Sequence, residues 1–188
     1  MKNIAIFASG NGSNFAAIAE AVKTGEIAAN IALLVCDKPG ARVIARAEEL
    51  GIPVFAAAPA SYADKAAYET DVLRRLEALD VQLIVLAGYM RLIGATLLEV
   101  YPGRIVNIHP SKLPEFPGKD AILRAYESGA AETGVTVHYV DAGMDTGPII
   151  AQRVVEITPG DTLELLEEKM HFVEHGLYIE TLKHLLES

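Results

Sequence analysis

The chain opens with an apolar strand, a glycine-rich turn and an amphipathic helix in direct succession. The strand is predicted over residues 3–8, the turn over 9–14, and the helix over 15–23, where apolar residues recur at helical spacing. This succession is the opening unit of a doubly wound α/β fold, in which crossover helices join parallel strands. The N-terminal part of the chain is therefore expected to build a parallel sheet.

The segments after this unit first continue the alternation of strands and helices, and then predict antiparallel strands. Two late apolar runs joined by a turn-rich linker predict an antiparallel pair, and the first of them alternates like a half-exposed strand. A long helix closes the chain, with Asp161 and Glu164 spaced for an N-terminal capping box. The segments predicted after the opening unit are strands at 30–36, 54–55, 82–87, 105–106, 135–140 and 148–157, and helices at 41–50, 64–79, 96–101, 120–127 and 162–186.

These segments predict one α/β domain over residues 1–188. The expected fold is a single-domain Rossmann-like sheet, parallel in its N-terminal half and antiparallel in a C-terminal extension, with helices on both faces. The N-terminal half, about 1–100, is expected to bind phosphate, and the C-terminal half, about 101–188, to carry the catalytic residues.

Composition narrows the choice of partners and compartment. The formal net charge is −9 and the chain has no block of basic residues, which argues against nucleic acid as a partner. The single cysteine, Cys36, ends an apolar run and is interpreted as a small core residue in a reducing compartment. With no signal-peptide pattern and no apolar run of membrane-spanning length, the protein is expected to be cytoplasmic, with no membrane partner.

The glycine-rich turn is the first candidate binding site. Gly10 and Gly12 would let the backbone approach a ligand, and Ser13 and Asn14 add side-chain donors at a helix start, where an anion is favoured. The dinucleotide fingerprint fails because Phe15 replaces its third glycine, and no Walker lysine is present. A small-phosphate cradle remains, and the alternative is a turn that needs glycine for its conformation alone.

Asn107 and His109 are the strongest candidates for chemistry. They lie two positions apart at the end of an apolar strand that Pro110 stops, so both side chains should point to the same face. A neutral donor beside a group that moves protons near pH 7 is the pairing that acyl transfer requires. The alternative is that both side chains only satisfy backbone groups at the strand end.

Asp145 is the third candidate, because Gly143 and Gly147 allow an unusual backbone path around it. A carboxylate that reached His109 would favour the charged form of the imidazole, whereas the alternative is an aspartate that caps its own turn. His138 alternates with apolar neighbours and is interpreted as structural. The other histidines share no ligand face, and neither a zinc-type cluster nor H-E-x-x-H is present, so no metal is expected.

Four motifs in this order resemble the folate-dependent formyltransferases: Ser9-Gly10-Asn11-Gly12-Ser13-Asn14, Ala87-Gly88-Tyr89-Met90-Arg91, Asn107-Ile108-His109-Pro110-Ser111, and 134–140 followed by Asp145-Thr146-Gly147-Pro148. The resemblance spans nearly the whole chain. It implies transfer of a formyl group from 10-formyltetrahydrofolate to an amine, and the motifs fit best the members that act on glycinamide ribonucleotide in purine biosynthesis. It implies no metal, and a monomer or homodimer.

The resemblance also implies roles for individual residues. Asn107 and His109 would flank the formyl carbon, and Asp145 would set the charge state of His109. Lys112 stands where relatives often carry leucine, so it receives no role. The implied ribonucleotide contacts are Gly12, Ser13, Asn14 and Glu174, and the implied folate contacts are Lys65, Met90, Arg91, Leu92, Ile93 and Asn107.

Three other functions remain as alternatives at this point. A formyltetrahydrofolate hydrolase would pass the formyl group to water with a similar Asn, His and Asp set, but such relatives usually carry an extra N-terminal domain. A methionyl-tRNA formyltransferase would need an RNA-binding extension, which this acidic chain does not provide. A non-catalytic folate- or nucleotide-binding module could share the fold, although retention of Asn107, His109 and Asp145 argues against it.

Overall fold

The computed structural model describes residues 1–187 and contains a seven-stranded sheet in the order β3-β2-β1-β4-β5-β6-β7. Strands β1 to β5 run parallel, whereas β6 pairs antiparallel with β5 and β7 antiparallel with β6. The predicted fold class, with its parallel first part and antiparallel extension, is confirmed. The strands are β1 (Lys2–Ala8), β2 (Ala29–Cys36), β3 (Val54–Ala56), β4 (Leu83–Leu86), β5 (Ile105–His109), β6 (Glu132–Tyr139) and β7 (Ile149–Glu156).

Within residues 1–187, six α-helices and one short 3-10 turn, Pro59–Ser61, cover the two faces of this sheet. The sheet has a hydrophobic core on each face. Side chains of β1 alternate between them, so that Ile4 and Ile6 pack into one core and Ala5 and Phe7 into the other. The first core lies under α1, α2, α5 and α6, and the second lies under α3 and α4. The helices are α1 (Ser13–Lys23), α2 (Arg42–Glu49), α3 (Lys65–Ala78), α4 (Ala95–Val100), α5 (Ala121–Glu127) and α6 (Leu163–Glu187).

Strand β6 is more buried than the alternation of its sequence predicts. Residues 133–138 are all buried, so the expectation of a half-exposed strand is wrong. Val135 and Val137 pack into the core that α6 covers. Thr136 and His138 lie on the opposite face, where Thr136 contacts the segment that follows β5 and His138 contacts Asn107 of β5. Polar residues therefore alternate along β6 because they bind other parts of the chain, and not because they meet solvent.

The start of α6 also differs from its prediction. Thr162, directly before the helix, accepts a hydrogen bond on its hydroxyl from the Leu165 amide at 3.1 Å. Asp161 instead accepts from the Thr158 amide at 2.9 Å and pairs with Lys169 at 2.6 Å. The predicted Asp161–Glu164 capping box is therefore wrong by one position, because the neighbouring threonine takes the capping role.

The order of the strands places a crevice at the carboxyl ends of β1 and β4. From β1 the strand order runs first to β2 and β3 on one side of the sheet, and then to β4 and β5 on the other side. Open α/β sheets bind ligands at the point where the strand order reverses in this way. The loops after β1, β2, β4 and β5 all emerge at this edge. Among the helices of residues 1–187, none is long and apolar enough to cross a membrane.

Tyr178 of α6 ties the long helix to the centre of the sheet. Its ring is fully buried, and its hydroxyl donates to the Leu86 carbonyl at 2.6 Å, with the Val106 carbonyl 3.3 Å away. Replacing Tyr178 with Phe leaves a buried carbonyl without this donor, so we expect the free energy of unfolding to fall by about 1–3 kcal/mol. Denaturant titration of both proteins checks this expectation, and equal stability would contradict it.

Candidate active site

The loop after β1 is held in a conformation that only glycine fits. Gly12 has φ of 80°, and a Cβ atom placed on it would lie 2.5 Å from the Val43 Cγ2 atom. The Gly10 carbonyl accepts from the Val43 amide at 3.0 Å, and the Asn11 carbonyl accepts from the Arg46 Nε at 2.8 Å. Helix α2 thus fixes the loop, and α1 begins at the next residue, Ser13.

This loop lines a pocket of about 230 Å³ together with the segment after β4. The pocket is bounded by residues 9–14 on one side and by Ala87, Gly88 and Met90 on the other. Lys38, which follows β2, also lines it and supplies a cation that the sequence reasoning missed. The signal was available, because Lys38 follows a parallel strand and so emerges at the same edge as the other loops.

Glu174 lies in α6 against the start of α1. Its side chain is 9% exposed, and His171 lies 4.0 Å away on the solvent side of the helix. Burial raises the pKa of the Glu174 carboxyl to about 7, and the Asn14 amide beside it opposes that rise. Because this pKa lies near neutral pH, the carboxyl can either donate or accept a hydrogen bond beside the pocket.

This raised pKa makes the stability of the fold depend on the charge of Glu174. The folded pKa exceeds the unfolded one, so the favourable contribution is complete at low pH and is lost as the pH rises from 4.5 through about 7. Glu174→Gln removes the buried charge, so we expect the variant to gain up to about 3 kcal/mol over the unaltered protein at pH 8 and little at pH 4.5. Thermal unfolding at the two pH values measures the difference. A variant with no relative gain at pH 8 would refute this assignment.

The loop after β4, residues 88–94, is held by contacts along its length. Ser9 donates its amide to the Gly88 carbonyl at 3.1 Å and accepts the Met90 amide on its hydroxyl at 2.9 Å. Tyr89 packs edge-on against Phe7, and its hydroxyl lies 3.1 Å from that of Tyr68. The second half of the loop, residues 91–94, is held at its start by the ion pair of Arg91 with Asp37. At its end, the Gly94 amide donates to the Glu69 carboxylate.

These contacts leave the side chains in the outer part of the loop exposed. Met90 and Leu92 are 65% and 46% exposed, whereas Ile93 is 4% exposed and packs into the core beneath α3 and α4. Within residues 1–187, the backbone groups of Leu92 form no hydrogen bond. Of the predicted folate residues, Met90, Arg91 and Leu92 present side chains at the surface, and Ile93 can contribute only its backbone. Lys65 lies close to Gly94, at the end of the same loop.

Asn107 and His109 project from the face of β5 opposite the α6 core. Val106 and Ile108 pack into that core, so the two polar residues point to the other face, as their spacing predicts. His138, across the antiparallel pairing from Asn107, places its Nε2 3.4 Å from the Asn107 Nδ2. The His138 Nδ1 donates to the Tyr139 carbonyl at 2.9 Å, which leaves Nε2 free to accept from the Asn107 amide when the ring is neutral.

Both ring nitrogens of His109 face an acceptor. The Nε2 lies 2.9 Å from the Phe116 carbonyl, and because a carbonyl only accepts, this nitrogen carries a proton. The Nδ1 lies 3.4 Å from the Asp145 Oδ2, in the position of the carboxylate that orients a catalytic histidine. The His109 side chain is 7% exposed, so the contacts are shielded from solvent.

Asp145 joins the two histidines. It adopts the left-handed region with φ of 56°, which turns its carboxylate back toward β5. One oxygen accepts from the Gly118 amide at 2.9 Å, and the other lies 3.6 Å from the His138 Nε2. Burial acts to raise the pKa of the Asp145 carboxyl, but the contacts with His138, Gly118 and His109 outweigh it and hold the pKa below its usual value.

The segment 110–118 covers this face of β5 and β6 and supplies the Phe116 carbonyl. Thr136 anchors it, because its hydroxyl donates to the Ser111 carbonyl at 2.7 Å and accepts from the Leu113 amide at 3.2 Å. Gln152 of β7 donates to the Leu113 carbonyl at 3.0 Å. These bonds form a polar layer beneath the segment and fix its path past His109.

The structure thus brings most of the predicted residues to one edge of the sheet. The sequence interpretation of His138 as structural was incomplete, since this buried side chain contacts both Asn107 and Asp145. The signal would have been the pairing of β5 with β6, which no single-strand pattern reveals. His184 lies near the end of α6 and is exposed. Among residues 1–187, no group of three His, Cys, Asp or Glu side chains is arranged to hold a metal ion.

Comparison with known proteins adds independent information. The sequence profile of the Formyl transferase family matches residues 2–182. Phosphoribosylglycinamide formyltransferase of Bacillus subtilis (strain 168) is 56% identical over 186 residues, which cover 99% of this chain and 95% of that protein. The crystal structure of glycinamide ribonucleotide transformylase 1 from Geobacillus kaustophilus has 60% identity and a TM-score of 0.96, covering 99% of both chains. That of phosphoribosylglycinamide formyltransferase from Bacillus halodurans has 54% identity and a TM-score of 0.95, covering 98% of this chain and 95% of that one.

Proposed function

The chain belongs to the formyl transferase family, and from that premise we propose that it transfers the formyl group of 10-formyltetrahydrofolate to the amine of glycinamide ribonucleotide, in de novo purine biosynthesis. The observation that carries the proposal is the convergence of Asn107, His109 and Asp145 on one face of β5, at the sheet edge that also carries the glycine-rich pocket. The match to the B. subtilis phosphoribosylglycinamide formyltransferase over nearly the whole chain supports glycinamide ribonucleotide as the acceptor.

The pocket at residues 9–14 is the proposed site for the ribonucleotide phosphate. The backbone amides at Gly12, Ser13 and Asn14 lie at the start of α1, where a negative charge is favoured, and Lys38 adds a cation. Glu174, beside Asn14, is the proposed contact to the sugar hydroxyls. Binding the phosphate at a distance from the amine positions the nucleophile without placing charged anchors at the reacting carbon.

The loop 88–94 is the proposed site for the folate. Its backbone is fixed from beneath, so the hydrogen-bonding groups of the outer part are already placed to receive a flat ring. Met90 and Leu92 supply exposed apolar surface, and Lys65 supplies a cation near the end of the loop. This arrangement fits a ligand with a flat heterocycle and an anionic tail.

The reaction forms a bond between the ribonucleotide nitrogen and the formyl carbon and breaks the bond from that carbon to N10 of the folate. Attack places negative charge on the formyl oxygen, which the Asn107 amide and a protonated His109 can stabilise. The attacking amine loses a proton and the departing folate nitrogen gains one, so the reaction needs no net proton. Asp145 holds the His109 ring through Nδ1 and leaves Nε2 as the nitrogen that acts on substrate.

The Phe116 carbonyl accepts the hydrogen bond from the His109 Nε2 that the proposal assigns to the formyl oxygen. Its 2.9 Å contact with the His109 Nε2 stands in for a substrate acceptor. The mechanism therefore requires the formyl oxygen to replace this carbonyl when both substrates bind. Catalytic hydrogen bonds of free enzymes often rearrange in this way when the substrate complex forms.

A spectrophotometric assay tests the proposed function. Purified protein is mixed with 10-formyl-5,8-dideazafolate, with and without glycinamide ribonucleotide, and release of the deformylated folate is recorded. Release that depends on the ribonucleotide is the expected result. Release without it would instead indicate a hydrolase, and absence of release in both mixtures, with folate still bound, would indicate a binding module.

A further inference from the structure

Asp37 follows β2 directly and forms an ion pair with Arg91, beneath the loop 88–94 that is the proposed folate site. Its Oδ2 accepts from the Arg91 Nε at 2.8 Å, and its side chain is 1% exposed. Within residues 1–187 its other oxygen, also buried, has no hydrogen-bond partner. A buried carboxylate is costly unless it is paired, so its burial favours the orientation of Arg91 that brings the guanidinium to it.

Arg91 has a different environment from its partner. Its side chain is 45% exposed, and within residues 1–187 only Nε of its guanidinium forms a hydrogen bond. The ion pair thus joins a buried carboxylate at the end of β2 to a half-exposed side chain of the loop 88–94. Holding the guanidinium by its inner nitrogen leaves both terminal nitrogens available to a ligand and removes the rotamer freedom that binding would otherwise have to restrict.

We propose that Asp37 is a positioning residue for the folate, which acts by fixing Arg91 and the second half of the loop 88–94. The inference rests on the proposed function, since it requires that this loop bind folate. Asp37 does not itself contact the ligand. It sets the orientation of Arg91, just as Ser9 sets that of the first half of the loop through the Met90 amide.

Two substitutions of Asp37 separate charge from hydrogen bonding. Asp37→Asn keeps an acceptor for the Arg91 Nε but removes the charge, and we expect the KM for the formyl donor to rise a few-fold. Asp37→Ala removes both, and we expect roughly a tenfold rise, the usual effect of losing a hydrogen bond between charged groups. The KM for the ribonucleotide and kcat at saturating donor should stay within about twofold, because α2 holds the loop at 9–14 through the Gly10 and Asn11 carbonyls and Asp37 takes no part in those bonds.

A double-mutant cycle with Arg91→Ala tests whether Asp37 acts through Arg91. The dissociation constant of 10-formyl-5,8-dideazafolate is measured by fluorescence for the unaltered protein, both single variants and the double variant. We expect Asp37→Ala to weaken folate binding in the unaltered background and to have no further effect when Arg91 is absent. Glu132→Gln is the matched control, because it removes a carboxylate from the 2.8 Å pair with Lys112, which has no proposed role.

The outcomes distinguish this inference from the proposed function. Failure of the unaltered protein to bind the formyl donor would overturn the proposed function and the inference with it. Normal folate binding with an equal loss from Asp37→Ala in both backgrounds, or with no loss at all, would overturn only the inference. Thermal unfolding of each variant identifies any that has lost its fold, and in that case Asp37→Asn, which keeps the shape of the side chain, decides the question.

Discussion

Replacing His109 with Ala is expected to lower kcat by roughly 10²- to 10³-fold while both substrates still bind. The His109 imidazole combines a hydrogen-bond donor at Nε2 with a carboxylate at Nδ1. In the proposed mechanism, its loss removes a donor to the negative charge that develops on the formyl oxygen. Rapid-mixing measurement of a single turnover, with separate measurement of both dissociation constants, checks the prediction.

The matched control for this prediction is His184→Ala, which removes an exposed histidine from α6 and should leave kcat unchanged. Because His109 is buried, its variant must also be shown to fold by circular dichroism and thermal unfolding. A His109→Ala protein that is folded and turns over within tenfold of the unaltered rate would contradict the assigned role. A loss confined to ribonucleotide or folate binding would make His109 a binding residue instead.

Asp145→Asn is expected to lower kcat by roughly 10²-fold, with a smaller effect on binding. The amide keeps the shape of the carboxyl but cannot stabilise a protonated His109 at the 3.4 Å contact. It also presents a donor where the Gly118 amide needs an acceptor, unless the side chain turns to place its oxygen there. Steady-state kinetics over a pH series measures the loss.

The lowered pKa of Asp145 fixes the pH range of its contribution to stability. A folded-state pKa below the ordinary value of 3.8 means that the ionised group stabilises the fold above that value, and that the contribution is lost as the pH falls through the folded pKa. The difference in melting temperature between the unaltered protein and Asp145→Asn should therefore be largest near neutral pH and shrink below pH 4. A difference that grows as the pH falls would contradict the assignment.

Much of the fold could be predicted because its signals are local. The strand, glycine turn and helix at residues 3–23, and the apolar runs that follow, each show their periodicity within a short window. Cys36 proved to be a fully buried core residue, as its place at the end of an apolar run indicated. The boundaries moved by up to three residues, as at β6, which was predicted over 135–140 and spans Glu132–Tyr139.

The contacts that depend on pairing between distant segments could not be predicted in this way. His138 meets Asn107 only because β6 runs antiparallel to β5 in one particular register, and a shift of one residue would turn it to the other face. Asp37 meets Arg91 across 54 positions in the sequence, and nothing in either local pattern indicates the pair. The candidates that the sequence could place together were the loops 10–14 and 88–93 and the pair Asn107 and His109, because all of them lie at the carboxyl ends of parallel strands.

The most direct test of the central claim is a single-turnover rapid-quench experiment with a formyl donor labelled in its formyl carbon. Enzyme in excess is mixed with the labelled donor and glycinamide ribonucleotide, and the label is followed in the donor, the ribonucleotide, free formate and the protein. The account predicts that label passes from donor to ribonucleotide with no label attached to the protein at any time. Label trapped on the protein, or released as formate when the ribonucleotide is present, would contradict direct transfer.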